Sequence, residues 1–136
     1  MIECDFALKI DDILSLIQKY NPQIITKKSD YLEVKIVNEF DEELWIEVDD
    51  MISIFFECWH THYFAYEEEY SAFLEDLFGI LENKKFVFGV YKENHWCCSD
   101  ISKFEIPYKE NLQNEYGKDK IIKCYFWDKS KNVIFD

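Results

Sequence analysis

The sequence predicts an α+β fold, in which a curved antiparallel sheet of about six to seven strands carries two helices in a single layer pair. Two observations carry this. Apolar residues recur at helical spacing in two stretches and alternate with polar ones in most of the others, and the connections are short, as antiparallel neighbours require. Only 3 Gly and 2 Pro accompany 49% hydrophobic residues, so apolar surface is ample and no linker divides the chain. At 136 residues, positions 1–136 are expected to form one domain.

The first helix is expected from Phe6, with Ile10, Ile13, Leu14, Ile17 and Tyr20 on one stripe, Asp5 as its cap and Asn21-Pro22 as its stop. Between Asp30 and Val48 the period falls to two. Leu32, Val34 and Ile36 share one face, and Leu44, Ile46 and Val48 do the same after an acidic turn near Asp41, which reads as a hairpin. Met51 to Phe64 reads as one long third strand, with Cys58, His60 and His62 on one side and Glu57, Trp59 and Tyr63 on the other. Trp59 is thereby expected on the exposed sheet face.

A second helix is expected from Tyr66 to Asn83, its stripe made by Phe73, Leu74, Leu77, Phe78 and Leu81. Phe86–Tyr91 and Trp96–Ile101 read as strands joined at Glu93-Asn94, and Ile121–Trp127 with Val133–Phe135 as a hairpin around Ser130. Residues 102–119 give no clear pattern.

Charge narrows the function. The chain has 28 acids against 15 bases, every base is Lys, and the net charge is -13. That disfavours nucleic acid and anionic membranes, whose phosphates call for concentrated positive charge and the bidentate Arg fork. Acids at Glu3 and Asp5 replace the basic start of a signal peptide, and no apolar run is long enough to span a bilayer, so a cytoplasmic location is expected. Five scattered Cys without a CxxC pair suggest reduced thiols rather than a disulfide framework or zinc ribbon.

The imbalance is local. Residues 36–83 hold 14 acids and no Lys, whereas residues 84–136 hold 10 Lys and 8 acids. A field concentrated in this way steers a basic partner. The expected docking residues are Asp41, Glu42, Glu43, Asp49, Asp50 and Glu57, with Trp59 as the aromatic anchor, and residues 39–50 with 67–76 are expected to make one continuous negative patch. A solvated face that serves only solubility is the plain alternative.

A second class is a small metal-dependent enzyme. His60 and His62 are spaced to point to one side of a strand, and His95 or Cys97 would supply a third ligand if their strand lay alongside. The histidines are otherwise expected to work through hydrogen bonds and packing, and no cofactor is expected. Cys58 beside His60, or Cys97 beside His95, lacks the electropositive setting that a thiolate nucleophile needs. Glu47 and Glu57 could face each other as a carboxylate pair on adjacent strands, though no cleft is indicated. Phosphate loops, GxSxG and HExxH are absent.

The strand ending in Trp59-His60-Thr61-His62-Tyr63-Phe64, the acid-rich helix after it, and the Phe86-Val87-Phe88-Gly89-Val90-Tyr91 hairpin with Trp96 together resemble small bacterial immunity proteins of polymorphic toxin systems, over about residues 51–98. The resemblance implies a non-enzymatic antidote that binds a cognate toxin domain, such as a basic nuclease domain, and it carries over no catalytic residue. It leaves a homo-oligomer open.

Overall fold

The first helix starts where Asp5 places it, since the Asp5 carboxylate accepts a hydrogen bond from the Ala7 N–H at 3.0 Å. A 3-10 turn over Phe6–Lys9 leads into α1 (Ile10–Ile17), and a second 3-10 turn over Gln18–Tyr20 ends at Asn21, whose φ of 54° reverses the chain. The computed structural model describes residues 1–105 and 108–136.

Five strands then follow: β1 (Gln23–Lys27), β2 (Leu32–Val37), β3 (Glu43–Val48), β4 (Ile52–Phe56) and β5 (Trp59–Tyr63). They lie side by side in sequence order as one sheet. The expected hairpin is β2–β3, in register from Leu32 opposite Val48 to Val37 opposite Glu43. The expected long third strand is instead a second hairpin, β4–β5. Glu57 adopts φ 54° and Cys58 follows it, a tight reversal made without Gly or Asn.

After β5 the helix α2 (Glu67–Leu81) interrupts the meander, and β6 (Lys85–Lys92) opens a new sheet. It pairs with β7 (His95–Lys103) on one side and β8 (Ile121–Tyr125) on the other, and β9 (Val133–Phe135) extends β8. Glu93 and Asn94, with φ of 51° and 68°, make the expected β6–β7 turn. Helix α3 (Tyr108–Tyr116) occupies the stretch without a clear pattern. The fold is therefore α+β with antiparallel sheets, as the sequence predicts, but the strands form two sheets of five and four rather than one.

The chain groups into two compact units, one of residues Met1–Phe56 with His60–Glu75, the other of Glu57–Trp59 with Asp76–Asp136. In the first unit Leu32, Val34, Leu44, Ile46, Ile52 and Ile54 turn inward and are fully buried, as are Ile13 and Ile17 of α1 and Phe73 of α2. Each such side chain contributes roughly 1.5–3 kcal/mol of transfer free energy. The inward residues fix the opposite ones outward, because strand side chains alternate.

The second unit packs around Phe86, Phe88, Ile122 and Phe126, with Leu112 of α3 against them. Phe86 stacks on Phe126 at 5.0 Å between ring centroids, and Phe104 meets Tyr108 edge-on at 5.1 Å. Gly89 is required on β6, because a Cβ there would come within 2.9 Å of the Tyr91 ring and 3.2 Å of Cys58 Sγ.

Candidate functional site

The outward residues of the five-stranded sheet form two cross-strand rows. In the first, Lys35 stands opposite Trp45, and Trp45 opposite Phe55. The Phe55 ring stacks with His60 at 5.7 Å. In the second row Glu33 stands opposite Glu47, and Glu47 opposite Ser53. Ser53 Oγ and His62 Nδ1 share a hydrogen bond of 2.6 Å. The two histidine rings meet edge-on at 5.6 Å, which ties the rows together on β5. Glu33, Lys35, Trp45, Glu47 and Phe55 are half-buried, and His60 and His62 are exposed.

Each row has its own electrostatics. In the first, Lys35 Nζ lies 5.5 Å from the Trp45 ring centroid and 3.7 Å from Glu43 Oε2, so one cation is shared by a ring and a carboxylate. In the second, Glu33 and Glu47 stand directly opposite each other, and the Tyr31 hydroxyl lies beside Glu33. Burial raises the Glu47 pKa above the ordinary carboxylate value, the charges of Glu33 and Asp49 raise it further, and His62 opposes them. Burial and the same three carboxylates, Glu33, Glu47 and Asp49, push the Tyr31 hydroxyl up. Like charges placed directly opposite on a sheet are destabilising. Among the described residues no lysine lies within ion-pair distance of Glu33 or Glu47.

The expected docking residues fall into separate places. Asp41, Glu42 and Glu43 lie in and after the β2–β3 turn, where Asn38 Oδ1 accepts hydrogen bonds from the N–H groups of Phe40 and Glu42 at 2.9 and 3.0 Å. Asp49 and Asp50 lie at the other end of β3, beyond Val48, and line an open depression of ≈ 760 Å³ with Asp5, Asp30 and Tyr31. Two of those carboxylates are already engaged, Asp5 with the Ala7 N–H and Asp49 with the Met51 N–H at 2.8 Å. The six residues of β3 set the two ends of residues 39–50 apart by ~17 Å. Asp76 pairs with Lys85 at 2.7 Å.

Glu57 is exposed in its turn, and it does not face Glu47, whose cross-strand neighbours are Glu33 and Ser53. Trp59 is 6% exposed, which places it in the core and not on the exposed face. The hidden β4–β5 turn breaks the continuous alternation that put it outside. Among the described residues no three His, Cys, Asp or Glu side chains are placed to hold a metal ion, so His60, His62 and His95 form no three-ligand centre.

The Ser53–His62 pair was not anticipated, because the two residues meet only through the β4–β5 hairpin. It does not make a nucleophile. Ser53 is 6% exposed on a strand that lies between β3 and β5, which leaves its hydroxyl little access to a substrate. The Cys58 thiol is raised by burial, with a hydrogen bond to Ser99 acting the other way, which leaves it a poor nucleophile.

Comparison with family models, with curated proteins and with solved structures finds no match. Among the described residues no helix is long and apolar enough to cross a membrane.

Proposed function

We propose that the chain is an acidic, cytoplasmic protein-binding module of the immunity type, which neutralises a basic toxin or nuclease domain by direct docking. The observation that carries this is the segregation of charge: residues 36–83 hold 14 acids and no Lys. That stretch supplies β3, β4, β5 and α2, so one run of the chain presents carboxylates without its own cations among them. Concentrated charge of one sign raises the encounter rate with a partner of the other sign and disfavours anionic ligands. The half-buried Trp45 and Phe55 support the reading further, since large rings at a surface are the residue types that anchor protein interfaces.

Co-expression tests the proposal. Basic toxin domains, nuclease domains among them, are produced in bacteria with and without the chain. Restored growth together with a stoichiometric complex is expected, and association should slow as ionic strength rises to physiological values. Growth arrest that persists in the presence of folded chain, with no complex formed, would remove the reading.

A further inference from the structure

We infer that the partner is held on the outward face of β2–β5 by an arginine-bearing segment, whose guanidinium seats on the Glu33–Glu47 carboxyl pair against the aromatic row of Trp45, Phe55 and His60. The inference rests on the protein-binding reading above and adds the surface and the recognised group.

The face itself carries the argument. Glu43, Lys35 and Trp45 already show its arrangement of carboxylate, cation and ring, with Lys35 Nζ 3.7 Å from the one and 5.5 Å from the centre of the other. The neighbouring row repeats the carboxylates at Glu33 and Glu47 but has no lysine within ion-pair distance among the described residues. Phe55 and Glu47 stand on adjacent strands two residues apart in register, within the ~7–8 Å of a diagonal pair. A cation from outside would complete the row and relieve the repulsion between the two carboxylates.

Arginine fits this place better than lysine. Its planar fork meets carboxylate oxygens in parallel hydrogen bonds, and its face stacks on an aromatic ring with little hydration to lose. Ser53 holds His62 through Nδ1 at the β5 end of the row.

NMR titration of the full chain with Gly-Arg-Gly-Arg-Gly and with Gly-Lys-Gly-Lys-Gly at low ionic strength tests the inference. Saturable shifts of the Trp45 indole and of the Glu33, Glu47 and Phe55 side chains are expected, with tighter binding of the arginine peptide. Glu33→Gln with Glu47→Gln should weaken binding about tenfold, as expected for loss of a charge-assisted bidentate contact. Asp41→Asn should change it less than about twofold, as for an exposed rim charge. Shifts confined to the Asp41–Glu43 turn or to the Asp49–Asp50 depression would overturn the surface while leaving acidic docking intact. Equal binding of the two peptides would overturn the arginine assignment, and the absence of saturable shifts would overturn both surface and group. The docking reading is decided separately by co-expression.

Discussion

The two sheets differ in where most of their aromatic residues lie. In the four-stranded sheet Phe86, Phe88 and Phe126 lie inside, and Phe104, Tyr108 and Tyr116 close over them. In the five-stranded sheet the inward residues of β2, β3 and β4 are aliphatic apart from Phe56, β5 buries Trp59 and Tyr63, and Trp45 and Phe55 face outward beside Glu33, Lys35 and Glu47. The charge differs as well, since Trp45 and Phe55 fall in the stretch without Lys, and Phe86, Phe88 and Phe126 fall in the Lys-containing remainder. A high aromatic content therefore has two meanings in one chain. Where rings replace aliphatic residues inside they hold the fold, and where they share an outward face with carboxylates they are the rings the proposed docking would use.

The largest effect should come from the buried side. Phe86→Ala removes a fully buried ring that contacts Phe88, Phe104, Tyr108 and Phe126, and is expected to cost about 3–5 kcal/mol in chemical denaturation. A loss below about 1 kcal/mol would mean that the second unit repacks freely and that the contrast is overdrawn. Trp59→Ala should follow at about 3 kcal/mol, because its ring is 6% exposed. An unchanged melting curve for that variant would return Trp59 to the surface.

Glu47→Gln should act in the other direction and more weakly, stabilising the chain at neutral pH by roughly 0.5 kcal/mol through loss of the like-charge pair. The pH dependence has a definite sign. Because the folded chain raises Glu47 above its ordinary value of 4.5, the group favours folding below that value, and its contribution is lost as pH rises through the raised value. The advantage of Glu47→Gln over the parent should therefore grow from acid to neutral pH in paired denaturation curves. A constant difference would show that Glu33 and Glu47 do not interact. The smallest effect on folding is expected for Trp45→Ala, below about 1 kcal/mol, since its half-exposed ring leaves no closed cavity.

Much of the fold was legible wherever one local rule dominated. Asp5, Asn21, the alternation of β2 and β3, and the Glu93-Asn94 turn each acted as the sequence suggested. The β4–β5 hairpin was hidden because Glu57 takes a left-handed conformation that normally signals Gly or Asn. Strand β1 was missed because four of its five residues are exposed, so no buried face produced an alternation. Helix α3 buries only Leu112 and showed no stripe. The division into two sheets depends on which strands pair, a non-local choice that periodicity does not encode.

The site was less legible than the fold. Counting acids found the charged region, but it favoured the turns at Asp41–Glu43 and Asp49–Asp50, where acids are adjacent in sequence. The Glu33–Glu47 pair lies 14 positions apart and forms only through the β2–β3 register. The signal was present nonetheless: with Leu32, Val34, Leu44 and Ile46 assigned inward, the same alternation puts Glu33, Trp45 and Glu47 outward together.

The central claim is that this outward face, rather than the acidic turns, holds the partner. Its most direct test is the kinetics of the complex between the chain and a basic toxin domain that co-expression shows it to bind, comparing the parent with Trp45→Ala. Dissociation is expected to quicken about thirtyfold with the association rate nearly unchanged, the behaviour of a ring that anchors an interface at a cost of ~2 kcal/mol. An unaltered dissociation rate in a folded Trp45→Ala protein would contradict the account.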